Sequence, residues 1–147
     1  MSSNQDFDYV GFWARAWAWL IDWILFVLLT VPLLYAIYGR VYFQGKLTDR
    51  GPIDFLNTFV LASVALFFFW LIKAATPGKM ALSAKIVDAA TGQTPTVRQL
   101  VIRYLGYFIA ALPLGLGLLW IAVDPKKQGW HDKMAGTAVV RAKKDAL

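Results

Sequence analysis

The chain has no cysteine and a single histidine among its 147 residues, and only 16% of its side chains are charged. The missing cysteines exclude a disulfide, a thiol nucleophile and a thiolate metal site, without fixing a compartment. One histidine among scattered carboxylates has no ligand spacing of the His-Glu-x-x-His kind, so neither a metal nor a cofactor is expected. The scarcity of charge says most. With 59% hydrophobic residues, too few polar side chains remain to cover a soluble domain, and the composition is that of an integral membrane protein. One domain over 1–147 is expected, with room for three or four membrane segments. The net charge of +6 does not point to nucleic acid, because Lys and Arg flank apolar spans instead of forming an aromatic-interleaved patch. Anionic lipid headgroups are the expected partner. Met1 to Val10 carries Asp6 and Asp8 and no basic residue, so the first apolar run reads as a retained anchor and not a signal peptide.

Three apolar segments organise the chain. The first spans roughly Phe12 to Tyr38, with Trp13, Trp17, Trp19 and Trp23 near its start and Pro32 as a kink site. A polar connection from Gly39 to Asp54 contains the turn residues Gly45, Gly51 and Pro52. The second covers about 55–73, ending at Lys73 and the breaker Thr76-Pro77-Gly78-Lys79. The third, about 97–124 with its uncharged part from Tyr104 to Val123, is interrupted by Pro113-Leu114-Gly115-Leu116-Gly117. A Pro and two Gly at mid-segment favour a break and hence a hairpin. If this segment crossed once, six basic residues would lie on one side and nine on the other; if it returns, twelve face three. The positive-inside rule then selects the hairpin, with both termini cytoplasmic.

The loop over 74–96 has another period. Ala84-Lys85-Ile86-Val87-Asp88 reads as a short strand followed by a Thr91-Gly92 turn, and Thr96 is placed to cap a helix beginning near Val97. In the tail over 125–147, Thr137 to Arg141 is a second β-prone run able to pair with the first. The expected fold class is an all-α integral membrane protein: two transmembrane helices plus a broken third segment, as a helical hairpin or a single kinked crossing, with a short cytoplasmic β-ribbon.

Asp22 is the residue whose position most needs a reason. A carboxylate inside an apolar run costs about 2.5–3.5 kcal/mol by insertion scales. Seven residues at 100° each return Asp22 to within roughly 20° of Arg15, about 10.5 Å away along the axis. Asp22 has two readings: a protonatable or cation-binding carboxylate, or a hydrogen-bond anchor to a helix end or to an arginine of another segment. Arg15 leans toward the cytoplasmic end, where it can reach lipid phosphates or partner an acid elsewhere, and pairing with Asp22 is not expected. Arg98 and Arg103, at the cytoplasmic end of the third segment, have the same two roles of charge partner and lipid ligand.

Asp124, His131 and Asp132 form a second cluster. It is a candidate proton relay at the cytoplasmic mouth; alternatively Asp132 braces the segment before Ala135-Gly136. Thr76-Pro77-Gly78-Lys79 lacks the spacing of a phosphate-binding P-loop and has Met80 where Ser or Thr is needed, so it reads as a turn. Ala14-x-x-x-Ala18 and Gly106-x-x-x-Ala110 have the small-residue spacing of close helix contacts.

Gly11-Phe12-Trp13-Ala14-Arg15 leading to Leu20-Ile21-Asp22, then Thr76-Pro77-Gly78-Lys79 with Lys85-Ile86-Val87-Asp88, and finally Asp124-Pro125 through Gly136-Thr137 together resemble the RDD family of small bacterial membrane proteins. The resemblance covers almost the whole chain in order. It matches Arg15 to the family's arginine, Asp22 to its first aspartate, and Asp132, better than Asp124, to its second. It implies a bacterial inner membrane location and, from sodium/proton exchange in some members, ion-coupled transport of a cation, proton or small solute. Two spans and a hairpin hardly enclose a pathway, so transport would require a homo-oligomer. The other class is a non-transporting scaffold that assembles with a larger membrane protein. An enzyme is not expected, since no nucleophile–base pair is present.

Overall fold

The computed structural model of the chain describes residues 7–44 and 52–143. Two helices dominate it, α1 (Phe12–Tyr38) and α3 (Pro52–Lys73), separated by a one-turn α2 (Val41–Gln44). Both long helices are apolar enough and long enough to cross a membrane, because neither carries more than isolated polar side chains to interrupt burial in hydrocarbon. The helix α1 runs on through Pro32 and ends where Gly39, at φ 67°, donates its N–H to the Tyr35 carbonyl. The turn residues Gly45 and Gly51, together with Lys46 and Arg50, lie outside the described residues, as do Met1 to Asp6 and the end of the basic tail from Lys144.

The third apolar segment is broken. The helix α5 (Val97–Ala111) is followed by α6 (Leu116–Leu119) and a 3-10 turn over Trp120–Ala122, bent by 114° relative to α5. The bend passes through Leu114 and Gly115, both at positive φ, and leaves Leu112 and Leu114 exposed at the tip. The third segment is thus a sharply broken one, of the shape expected for a helical hairpin. Thr96 caps α5 as expected: its hydroxyl accepts from the Gln99 N–H and the Gln99 side chain accepts from the Thr96 N–H.

Beside the long helices sits a small body. The expected ribbon forms, with β2 (Ala84–Asp88) antiparallel to β3 (Thr137–Ala142), Ile86 opposite Val139. A third strand, β1 (Phe7–Tyr9), was not anticipated. It pairs with the other edge of β3, placing Asp8 opposite Arg141, so the order is β1-β3-β2. The strictly all-α class is corrected by this sheet. As the central strand β3 is covered on both faces: Val139 joins Val10, Trp70, Ala84, Ile86 and Leu100 on one, while Ala138 and Val140 pack with Val87, Phe7 and Tyr9 on the other. Each fully buried Val, Leu or Ile among them contributes about 1.5–3 kcal/mol.

Two further short helices complete the body, α4 (Pro77–Ala81) and α7 (Trp130–Ala135). The segment read as a plain turn is therefore the start of α4, with Pro77 in its first helical position, where the missing N–H costs nothing. Both small-residue pairs mark close approaches. Ala18 meets Gly78, where an added Cβ would lie 1.9 Å from the Ala18 carbonyl oxygen. A Cβ on Gly106 would lie 2.9 Å from the His131 Cα, and one on Gly117 2.7 Å from the Ala110 Cα.

Candidate functional site

Arg15 lies one turn into α1, and its side chain folds back toward the start of the helix, the direction in which helical Cβ atoms lean. Its Nε donates to the Val10 carbonyl at 2.9 Å and its Nη1 to Asp132 Oδ2 at 2.6 Å, while Nη2 donates to the Lys127 carbonyl. The guanidinium is thus turned inward, and of its two expected roles the geometry realises the charge partner.

Asp132 sits in the first turn of α7, where Oδ2 also accepts the Gly129 N–H at 3.1 Å. It braces the segment before Ala135-Gly136, as one of the two readings held. Its Oδ1 receives Arg103 Nη1, which also donates to Thr137 Oγ1 at 2.9 Å, and Arg103 Nη2 reaches the Tyr107 hydroxyl at 3.3 Å. One carboxylate therefore sits between two guanidiniums from α1 and α5. All three groups are nearly or wholly shut off from solvent. Burial works to raise the Asp132 pKa, but the guanidiniums of Arg103 and Arg15 outweigh it and hold the carboxyl far below its ordinary range. Arg98, in contrast, is exposed on the first turn of α5, so the two arginines paired in the sequence reading have different environments.

His131 stacks on Tyr107 with ring centres 4.0 Å apart. Its Nε2 comes within 3.4 Å of Asp132 Oδ2 without the alignment of a hydrogen bond. Burial pushes the imidazole down to about 3, the Asp132 charge opposing this only in part. Asp124 is held elsewhere: Oδ2 accepts the N–H groups of Lys126 and Gln128 at 3.0 and 3.2 Å, and Oδ1 meets Lys133. It closes the turn before α7 and is bonded to neither His131 nor Asp132, so the expected three-residue cluster is only a two-residue one.

Asp22 accepts from the Thr76 hydroxyl at 2.5 Å and from the Gly78 N–H at 2.6 Å. The close passage of α4 over α1, which Gly78 alone allows, brings these donors to the carboxylate. Arg15 and Asp22 share a helix but reach different partners.

The sequence reading missed the residues between these two ties. Lys79 is buried against Trp70, with Nζ 6.0 Å from the ring centre, and Arg103 lies over the same ring at 5.5 Å. Lys79 stood in an identified motif, and a lysine flanked by apolar residues was the available signal. Nothing distinguished Trp70 within its apolar span. Among the described residues no three His, Asp or Glu side chains converge as metal ligands do.

The chain is similar in sequence to several bacterial proteins. It is 27% identical over 143 residues to the uncharacterized protein RP437 of Rickettsia prowazekii, covering 89% of this chain and 80% of that one. With the uncharacterized membrane protein YteJ of Bacillus subtilis it shares 29% identity over 148 residues, covering 92% and 82%. A third relative, protein YckC of Bacillus subtilis, is 32% identical over 139 residues, covering 90% and 84%. No solved structure matches the chain at a significant level. The RDD family's sequence profile matches residues 9–136, which contain Arg15, Asp22, Asp124 and Asp132 and both ties described above, and the chain belongs to the RDD family.

Proposed function

We propose that this RDD protein is a non-transporting assembly module of the bacterial inner membrane, with its small sheet body and both termini on the cytoplasmic side. The observation that carries the reading is the use made of the family's charges. Arg15, Asp22 and Asp132 each tie α1 to the body, through Arg103, Thr76 and Gly78, so their chemistry is spent inside one protomer. Asp132 is held as a carboxylate between two guanidiniums and burial keeps His131 neutral near pH 7, which favours a bracing role over a proton relay. Meanwhile α1 and α3 bury only 6% of their most apolar stretches within the protomer, leaving apolar sides to lipid and to neighbours in the bilayer. Copies of the chain or a larger membrane protein fit this role.

One observation supports the second reading, ion-coupled transport. Both donors on Asp22 are neutral, a hydroxyl and a backbone N–H, so the carboxylate can accept a proton or a monovalent cation without first breaking an ion pair. The deciding experiment is proton movement driven by sodium or potassium in proteoliposomes, with Asp22→Asn alongside and the size of the native complex measured in mild detergent. Assembly predicts a complex larger than the protomer and no flux above empty vesicles. Cation-dependent flux lost in folded Asp22→Asn refutes assembly and assigns exchange.

A further inference from the structure

We propose that Lys79, Trp70, Arg103 and Tyr107 form a binding site for a phosphate oxyanion, presented by a phospholipid headgroup or by free phosphate. Their free polar groups are all donors. The Trp70 indole Nε1 and the Arg103 Nε are buried without a hydrogen-bond partner. The Tyr107 hydroxyl accepts from Arg103, and its own proton finds no acceptor among the described residues. Lys79 Nζ forms no ion pair there, and it lies 6.0 Å from the centre of the Trp70 ring that it shares with Arg103. Four donors without an acceptor, drawn from α3, α4 and α5, match a group with several anionic oxygens.

The charges agree. The groups facing one another are the cations Arg15, Arg103 and Lys79 and the carboxylates Asp22 and Asp132, with His131 neutral. Asp132 is shared by two guanidiniums and Asp22 is occupied by Thr76 and Gly78, so the surplus positive charge rests on Lys79. Burial pushes its ammonium below the ordinary lysine value, and an anion beside it would reverse that pressure. A water molecule could satisfy one or two donors but would leave the charge uncompensated. Access is from the side of Lys79 and Tyr107, since Lys79 keeps 9% of its surface open, Tyr107 is partly exposed and Arg103 is fully buried. Trp70 is in the last turn of α3, one turn before Lys73.

The full-length protein in nonionic detergent provides the test. In one arm sodium phosphate is titrated against sodium chloride at matched ionic strength; in the other, phosphatidylglycerol is added in phosphate-free buffer, with diacylglycerol of the same chains as control. The readout is the indole 1H–15N cross-peak of Trp70, assigned with Trp70→Phe. A saturable downfield shift is expected in at least one arm, with the midpoint about tenfold weaker in Lys79→Met, the loss of roughly one charge-assisted hydrogen bond. A response to phosphate alone assigns a soluble anion, and one to phosphatidylglycerol alone assigns the headgroup. Absence of a saturable shift in both arms overturns the site, a result the wild-type protein gives even if the variant does not fold. An unchanged midpoint in folded Lys79→Met overturns it as well.

Discussion

Replacing Asp132 with Asn tests the central tie most directly. The side chain keeps its size, but Arg15 and Arg103 lose the one carboxylate between them while staying in place. Arg103 has no exposed surface and keeps the Thr137 and Tyr107 oxygens with at most the one neutral amide oxygen that Asn retains. Arg15 keeps the carbonyls of Val10 and Lys127. Breaking a buried ion pair from one side typically costs about 3–5 kcal/mol, because an uncompensated charge stays behind. Against a total stability of about 5–15 kcal/mol, Asp132→Asn should lower the denaturation midpoint of the detergent-solubilised protein severely. The informative companion is Asp132→Asn combined with Arg103→Met, which also removes the fully buried one of the two stranded charges. Its destabilisation should fall short of the sum of the single variants by about 2 kcal/mol or more, within the range for residues in one network. A cost below about 1 kcal/mol for Asp132→Asn, well under the range for a buried pair, or strict additivity in the double variant, would refute the tie as a stabilising element.

Two other outcomes follow from the same geometry. His131 is the chain's one histidine, and burial holds its folded pKa down at about 3, below the 6.5 of a free imidazole. Its stabilising effect is therefore complete above 6.5 and is lost as pH falls, because the unfolded chain takes up a proton that the folded imidazole refuses. Between pH 7 and pH 5 this amounts to about 2 kcal/mol, which His131→Leu should remove from the pH dependence of unfolding; equal acid losses in the two proteins would count against it. Gly78→Ala places a methyl against the Ala18 carbonyl and Asp22 and should destabilise by about 1–3 kcal/mol through forced separation of α1 and α4. Wild-type stability in that variant would show that the helices do not need their close approach.

The charge ties give Arg15, Asp22 and Asp132 a structural use in a chain with so little charge. In hydrocarbon, apolar contact alone gives helices weak reason to choose one another, whereas a buried carboxylate demands particular donors. Asp22 selects α4, and Asp132 selects α1 and α5 together. The packing of α1, α4, α5 and α7 is specified by these polar demands, with β3 and its covering side chains supplying the apolar remainder.

The sequence by itself determined the two long apolar helices, the break in the third segment, the capped start of α5 and the pairing of β2 with β3. Each is written in neighbouring residues: runs of apolar side chains, Pro and Gly at one point, Thr96 three positions before Gln99, β-branched residues in short runs. It also placed Arg15, Asp22 and Asp132 in a family pattern without revealing their partners. Arg15 meets Asp132 across 117 positions and Asp22 meets Gly78 across 56, contacts that no local period encodes. The strand β1 was equally hidden, since three residues carry almost no periodicity and become a strand only when the edge of β3 is there to bond them. Lys79 and Trp70 acquired meaning in the same way. A lysine after a Pro-Gly turn and a tryptophan in an apolar span are ordinary until folding seals them together, and the resulting loss of solvent turns their unused donors into a chemical requirement.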